Sequence, residues 1–539
     1  MSKSVSAKFV KGAALLSIAG LIVKILGAVY RIPLVGILGD EGISYYQTAY
    51  PVYTLLLTVA TTGFPVAIAK MISERLALED HYNAGRIFKL TSTIMVSFGL
   101  LTSSIMFLFA EKIAYFIKNP NAYYSLLSLA PALLVAPILS ALRGYFQGRQ
   151  NMLPTAVSQI TEQVARVGVG LYLAVALLDR GLPFAAGGAS FGGSAGSFVG
   201  VLTMLFFFYK NRQERKKELK ASRHKEILPY KLLLKELLYI AVPITIGASI
   251  APLMDSIDAS IFPSRLMSAG FSLVEANKLH GNLKGMAQTL INFPLVFLGV
   301  IPMTLVPSIA EAAAIKDEHK LNVLTESGIK MASLLAIPAT VGLFVLARPV
   351  IDLLYFSEGE ASRASAASLL QLASIQLIFL GTIMSASAIL QGIGKPTLPA
   401  KNMLTGAVVK VILSYTLLGI RSINIYGMAI STIVCYAIAA SLNLYGVSKH
   451  AGIQISFSRY YIRPLIISLV MGIFVYISYN LLMGILGPKL ATLVAVLIGV
   501  LVYGVLLIIS GTLTREDYLL LPKGEKLYSF LKGKGIIKE

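Results

Sequence analysis

The sequence contains fourteen long apolar segments, and this feature restricts the possible folds more than any other. Each segment is long enough to cross a bilayer, because ~20 apolar residues in a helix span the ~30 Å hydrocarbon core. Pro and Gly lie inside several of them, which suits helices that bend around a cavity better than the strands of a β-barrel. We therefore predict an all-α, polytopic membrane protein with fourteen transmembrane helices, at about 12–38, 44–72, 86–110, 123–147, 153–178, 183–209, 232–262, 279–309, 322–347, 364–392, 397–419, 424–447, 461–486 and 489–511.

The composition excludes several other classes of protein. Of the 539 residues 56% are hydrophobic and only 14% charged, as expected for a chain that lies mostly in lipid. The net charge of +21 would suggest nucleic acid in a soluble protein, but here most of the excess lies in short loops, so we predict no nucleic-acid partner. The single cysteine excludes an internal disulfide, and the five histidines lack metal-ligand spacing, so we predict no metal site and no enzyme activity.

The distribution of Lys and Arg predicts the orientation and the domains. Most of these 47 residues lie in every second connection between segments, on the same side of the membrane as the two termini. This distribution predicts a protein of the cell membrane with both termini in the cytoplasm. The longest polar stretch, 210–231, separates two lobes of six helices. It is either a patch for anionic membrane lipids or a solvated linker that fixes the topology. The predicted domains are a first lobe at 1–209, the basic cytoplasmic linker at 210–231, a second lobe at 232–447, and helices 13 and 14 with a cytoplasmic tail at 448–539.

The two lobes look like repeats of each other. Gln147-Gly148 ends segment 4 and Leu153-Pro154 opens segment 5, while Gln391-Gly392 ends segment 10 and Leu398-Pro399 opens segment 11. Repeats of six helices have the same orientation in the membrane. Such pseudo-symmetric lobes place a substrate site at their interface and suit alternating access.

The apolar segments contain an excess of cations. The first one carries Lys24 and Arg31 on either side of Gly27, and charges inside a membrane usually face a cavity or a partner. The alternative is that both side chains snorkel to the membrane surfaces, which their short separation makes harder. A cationic chamber selects anions, and phosphates in particular, through charge-assisted hydrogen bonds. The remaining cations within the segments are Arg166, Lys284, Lys330 and Lys410.

Three acidic residues within the segments accompany these cations. Glu162 and Arg166 are four residues apart and can form an ion pair along one helix face, either as a structural pair or as a gate. Asp255 and Asp258 are one turn apart and serve either as ligands of a coupling cation or as partners of structural ion pairs. Glycines at spacing four, Gly188, Gly192, Gly196 and Gly200, favour close helix packing over a phosphate loop.

Several stretches together resemble a known family. They are KILGAVYRIPL (24–34), GFPVAIAKMISE (63–74) and LQGIGKPTLP (390–399). With the helix count and the repeat, the chain resembles the multidrug/oligosaccharidyl-lipid/polysaccharide exporter superfamily, which has the MATE-like architecture. Within it the chain is most similar to the Gram-positive branch of MurJ-type lipid II flippases and stage V sporulation protein B relatives.

The resemblance implies a function and a set of site residues. The substrate would be a polyprenyl-diphosphate-linked sugar, most simply lipid II for peptidoglycan synthesis, which moves from the inner to the outer leaflet. Lys24 and Arg31 would bind its diphosphate, Lys284 would take the place of a family arginine, and Lys410 would assist. Helices 13 and 14 would form a groove for the polyprenyl tail.

The resemblance also suggests partners and energy sources. Some members hold sodium with an acid on helix 7, here Asp255 or Asp258, and a polar pair on helix 11, where Asn402 is present but Gly406 offers no ligand. No cofactor is expected. Sodium, protons or the membrane potential would drive transport, and cell-wall synthesis proteins are candidate partners. The alternatives are a flippase for another glycan lipid, a cation-coupled multidrug exporter, a membrane glycosyltransferase and a non-transporting scaffold.

Overall fold

The protein is helical throughout the part described by the computed structural model, which comprises residues 2–220, 227–452, 456–512 and 529. Most of the predicted cytoplasmic tail lies outside this part, as does the middle of the basic linker. The α-helices are α1 Ser2–Thr61, α2 Gly63–Ala77, α3 His81–Phe116, α4 Tyr123–Gly148, α5 Leu153–Ala176, α6 Leu182–Lys210, α7 Arg212–Lys220, α8 Tyr230–Ser268, α9 Leu273–His280, α10 Gln288–Leu298, α11 Val300–Ala314, α12 Glu318–Val345, α13 Ala347–Leu354, α14 Glu360–Ser374, α15 Gln376–Gly392, α16 Thr397–Leu418, α17 Tyr426–Ala451 and α18 Arg463–Ile509.

Ten helical stretches of the described chain are long and apolar enough to cross a membrane. The prediction of an all-α, multi-pass membrane protein is therefore confirmed. Two predicted segments, now α5 and α16, are helical but are not among these ten; both carry charges, such as Arg166 in α5 and Lys410 in α16. The count of fourteen transmembrane helices stays a prediction.

Glycines interrupt the two longest helices. Gly39 divides α1 with φ 68° and ψ 179°, and Gly487 divides α18 with φ 75° and ψ 162°. A residue with a β-carbon is strained at such positive φ values, whereas glycine is not. Both breaks fall where the sequence predicts the end of one segment and the start of the next. The predicted second segment has a further break that the sequence did not indicate, at Thr62 between α1 and α2.

The packing divides the chain into two compact units, Met1–Gly281 and Asn282–Glu539. Helix α8 packs against α1 and α2, within the first unit. The predicted lobe boundaries at the basic linker stay a prediction.

The glycine ridge of α6 packs directly against α5. A β-carbon on Gly192 would lie 2.4 Å from the carbonyl oxygen of Arg166, and one on Gly196 would lie 2.6 Å from that of Glu162. Only residues without a side chain allow two helix backbones to approach so closely. The predicted role of this ridge in helix packing is confirmed, and the same contact holds the charged face of α5 in place.

Each unit also contains a close contact between a glycine at the end of one helix and a neighbouring helix. In the first unit, Gly148 at the end of α4 packs on Ala69 of α2, whose carbonyl oxygen would lie 2.9 Å from an added β-carbon. In the second unit, Gly392 at the end of α15 packs on Ile309 of α11, with 2.5 Å to its Cγ2. Both pairs combine a Gln-Gly helix end with a helix that begins with a proline-containing stretch. The repeated sequence motifs therefore make equivalent contacts.

Candidate substrate site

The candidate substrate site in the first unit begins with the first half of α1. Lys24 is exposed, and Arg31, two turns later, is half-buried. Gly27 lies between them on the face that meets α5, where an added β-carbon would be 3.3 Å from Gln163 Nε2. Among the described side chains, neither cation has a carboxylate partner. The positive charges of Lys24 and Arg31 are therefore available to an anion.

Glu162 of α5 lies between two guanidinium groups. Its Oε1 accepts a hydrogen bond from Arg166 Nη2 at 2.9 Å, one turn along the same helix. Its Oε2 accepts one from Arg143 Nη2 of α4, also at 2.9 Å, and Arg143 Nε donates to Ser158 Oγ at 3.0 Å. These three charged side chains are each less than one-fifth exposed. The cluster joins α4 to α5 and keeps one net positive charge.

Tyrosines on the second half of α1 extend this cluster. Arg166 Nη1 donates to the hydroxyl of Tyr50 at 3.2 Å, and the ring of Tyr50 stacks on that of Tyr46 with 5.5 Å between centroids. Tyr53 follows at 5.6 Å from Tyr50. The structure thus connects Arg166 to the tyrosine row through Tyr50.

The sequence analysis missed Arg143 and the tyrosines. Arg143 lies inside α4 but is not among the cations that the sequence analysis places within the apolar segments. The tyrosine row carried a detectable signal, because positions 46, 50 and 53 share one helix face. With Arg143 included, the first half of α1 together with α4 and α5 contributes Lys24, Arg31, Arg143 and Arg166 near a single carboxylate, Glu162.

The cations of the second unit lie in different surroundings. Lys284 is half-buried in the π-helical turn Gly281–Ala287, a type of helical irregularity that is frequent at functional sites. Lys330 of α12 and Lys410 of α16 are each only 3% exposed. These cations and the pair Lys24 and Arg31 belong to different compact units, so their joint action stays a prediction.

The predicted cation-site residues also belong to different units. Asp255 and Asp258 lie on α8, the first exposed and the second 1% exposed. Asn402 lies on α16, where its amide donates to Asn443 Oδ1 at 2.8 Å, and Asn443 in turn donates to Ser387 Oγ at 3.1 Å. Among the described residues no group of three or more His, Cys, Asp or Glu side chains forms a metal site. The cation site stays a prediction.

An apolar cavity of about 480 Å³ lies between three helices of the second unit. Phe297 of α10, Leu335 of α12 and Val496 of α18 line it, and Tyr503 of α18 closes one side by donating to the carbonyl oxygen of Leu334 at 2.8 Å. Aliphatic and aromatic walls of this kind accept a hydrocarbon chain. Helix α18, which covers the predicted segments 13 and 14, therefore borders an apolar groove.

The family now follows from comparison with known sequences. The sequence model of the family described as "Polysaccharide biosynthesis protein" matches residues 9–313, more than half of the chain. The chain belongs to the polysaccharide biosynthesis protein family. A second model, MatE, matches residues 284–416. The resemblance to the multidrug/oligosaccharidyl-lipid/polysaccharide exporter superfamily is confirmed.

Three known proteins show how far this family relationship extends. The uncharacterized membrane protein YabM of Bacillus subtilis is 32% identical over 97% of this chain and 96% of its own length. The lipid II flippase MurJ of the same species is 29% identical over 88% of each chain. The fold of this family member matches a structure entitled "Lipid II flippase MurJ, inward closed conformation", with a TM-score of 0.67 and 16% identity over 92% of this chain and 98% of the other. The prediction of a transporter rather than an enzyme agrees with this relationship, since MurJ is a flippase.

Proposed function

We propose that this protein is a flippase that moves a lipid-linked, diphosphate-bearing sugar precursor from the inner to the outer leaflet, with lipid II as its substrate. The observation that carries the proposal is the excess of cations on the first half of α1 and on α4 and α5. There Lys24, Arg31, Arg143 and Arg166 accompany the single carboxylate of Glu162. A diphosphate is the group of this substrate that such charges bind. The relationship to the lipid II flippase MurJ supports the same substrate.

The proposed topology has fourteen crossings of a bacterial cell membrane, with both termini in the cytoplasm. In this topology α1 and α18 each cross twice, with Gly39 and Gly487 at the turning points, and α5 and α16 cross once each. The basic stretch after α6 would then lie in the cytoplasm, as the excess of Lys and Arg there predicts.

The proposed mechanism is alternating access with a fixed diphosphate site. Lys24 and Arg31 bind the diphosphate, and Lys284 and Lys410 assist from the second unit. The polyprenyl tail stays in the apolar groove between α10, α12 and α18 while the sugar crosses. An inside-negative membrane potential favours outward movement of the anion by ~2.3 kcal/mol per charge per 100 mV. Coupling to sodium or protons, if the protein uses it, involves Asp255, Asp258 and Asn402.

Two further functions have specific support. A flippase for another polysaccharide lipid fits the family description and the same cationic residues. A cation-coupled multidrug exporter fits the MatE match over residues 284–416, but a cationic drug would be repelled by the charges on α1. Cell-wall synthesis proteins are proposed partners of the first two functions.

The test is transport of fluorescent lipid II in proteoliposomes. We expect the wild type to move it, and Lys24→Glu and Arg31→Glu to abolish transport while each protein still folds and inserts. The matched control is Lys395→Glu, which reverses an exposed charge in the connection between α15 and α16. Equal transport by the wild type and both reversed proteins would refute the proposed site. If folded wild type moves another glycan lipid instead, the substrate is reassigned.

A further inference from the structure

A second cavity lies away from the candidate substrate site, at one end of the first unit's helix bundle. It has a volume of about 270 Å³ and is found where α2 and α4 end, α3 begins and α6 passes into the basic helix α7. Ile72, Leu76 and Phe88 form its apolar wall. The exposed ring of Tyr209 in the last turn of α6 is typical of the membrane–water interface. This ring favours a position of the cavity at the depth of lipid headgroups.

Three guanidinium groups line this cavity against one carboxylate. Arg149 Nη2 donates to both carboxylate oxygens of Glu218 at 2.6 Å. Arg212 and Arg215 also line the cavity and have no carboxylate partner among the described side chains. The cavity thus has more positive charge than Glu218 can balance.

Donors that point to a missing ligand are present as well. Arg215 Nη2 donates to the carbonyl oxygen of Phe208 at 2.7 Å, but the buried Nε of Arg215 has no hydrogen-bond partner. The buried Nδ1 of His81, which also lines the cavity, has none either and donates in the Nδ1–H tautomer. Buried polar atoms are nearly always hydrogen-bonded, so these two are candidates to meet a bound acceptor.

An aromatic floor fixes the positions of the arginines. The rings of Phe88, Tyr145 and Phe208 contact one another with centroids 4.6 to 5.6 Å apart. The guanidinium of Arg215 lies 3.4 Å above the ring of Phe208, and that of Arg149 lies 5.5 Å from the ring of Tyr145. Burial alone would lower the pKa of Arg149, but hydrogen bonds and charge from Glu218 and Tyr145 outweigh it and raise the pKa. Arg149 and Arg215 are thus held in place by these contacts, and a guanidinium keeps its charge at physiological pH.

We propose that this cavity is a binding site for the phosphate of an anionic glycerophospholipid of the surrounding membrane. Arg212 and Arg215 bind the phosphate oxygens in the bidentate manner that guanidinium groups favour. The first atoms of the acyl chains contact Ile72 and Leu76. A basic cavity between the ends of membrane helices has the chemistry that selects such headgroups. The basic stretch after α6 then has a ligand in addition to its effect on topology.

The test measures lipid retained by the purified full-length protein in native mass spectra, during titration with dioleoyl phosphatidylglycerol or phosphatidylcholine. We expect the wild type to retain one phosphatidylglycerol in preference to phosphatidylcholine. Arg212→Gln/Arg215→Gln should weaken phosphatidylglycerol binding about tenfold, equivalent to about 1.4 kcal/mol. The control Lys217→Gln/Lys231→Gln removes the same charge from exposed positions that do not line the cavity, and should bind as the wild type does.

A third variant has the opposite expected effect. Glu218→Gln keeps the shape of the side chain but releases Arg149 from its ion pair, so phosphatidylglycerol should bind about threefold more tightly, since a third cation becomes available. Equal weakening in the arginine and lysine double variants would overturn the site in favour of a purely electrostatic surface. Unchanged binding in Glu218→Gln would overturn the placement of the phosphate beside Arg149. If inorganic phosphate displaces the bound lipid and the protein shows no preference for phosphatidylglycerol, the ligand of the cavity is free phosphate rather than a lipid, and the proposal is overturned.

Discussion

The carboxylate of Glu162 lies 2.9 Å from the guanidinium of Arg166, one turn along α5. The same carboxylate has an equally short contact with a second guanidinium, from α4. This sharing leaves part of the positive charge unbalanced in the interior of the first unit. The ion pair therefore has two effects, since it fixes α5 to its neighbour and keeps the surrounding potential positive.

Removal of the shared carboxylate should destabilise the first unit. In Glu162→Gln both arginines lose their ionic partner while they stay largely buried, so we expect a loss of about 2 kcal/mol, below the ~3–5 kcal/mol typical of fully buried pairs. Thermal unfolding in detergent, monitored by size-exclusion chromatography, would measure this loss of stability. The control is Glu74→Gln, whose partner Lys70 is 3.8 Å away on an exposed surface, and which should change stability by less than about 0.5 kcal/mol. Equal stability of the two variants would contradict the structural role of the cluster.

The contact between α5 and α6 depends on the absence of a side chain at Gly192. Gly192→Ala would place a β-carbon 2.4 Å from the carbonyl oxygen of Arg166, and we expect overpacking to cost about 2 kcal/mol. Gly168→Ala is the matched control on α5, because nothing lies within 4 Å of the added carbon. Melting temperatures of the two variants provide the comparison. A drop for Gly168→Ala as large as that for Gly192→Ala would show that the effect is not one of packing.

The break in α1 depends on the positive φ of Gly39. Gly39→Ala should lower stability by about 1–2 kcal/mol, because a β-carbon clashes with the backbone in this region. Gly20→Ala, in a regular and uncrowded part of the same helix, should be neutral or slightly stabilising. Chemical unfolding of both proteins in the same detergent would distinguish them. No difference between them would mean that α1 adopts another path at residue 39.

The apolar groove of the second unit should matter only for substrates with a long tail. Val496→Trp narrows the groove, so we expect slower flipping of a lipid II with a full polyprenyl chain and little change for an analogue with a short one. Leu497→Trp introduces the same ring at the next position of α18, which is exposed and does not line the groove. Paired transport assays in proteoliposomes would measure both. A similar loss with the two lipids would mean that the groove does not hold the tail.

Features set by local sequence were predictable. The hydrophobic segments give the helices, the spacing of Glu162 and Arg166 gives their contact, and the spacing of glycines in α6 gives its packing face. These patterns depend only on helix geometry, so no knowledge of the tertiary fold is needed.

Features that depend on which helices become neighbours were not predictable. Arg143 reaches Glu162 from another helix, and the row of Tyr46, Tyr50 and Tyr53 acquires its role only because α5 lies beside α1. The basic cavity is likewise formed by three separate stretches of the sequence, at residues 72–88, 145–149 and 212–218. A single sequence does not specify such proximity, whereas the packed structure does.

The packing of Gly406 on Cys435 has a practical consequence for chemistry on the intact protein. The sulfur is that of the only cysteine in the chain, and this residue is fully buried between α16 and α17. Water-soluble maleimides should therefore leave the native protein unlabelled. A cysteine introduced at exposed Lys217 or Lys395 then becomes the sole reactive thiol, and its labelling from one side of a sealed vesicle reports directly which face of the membrane it occupies.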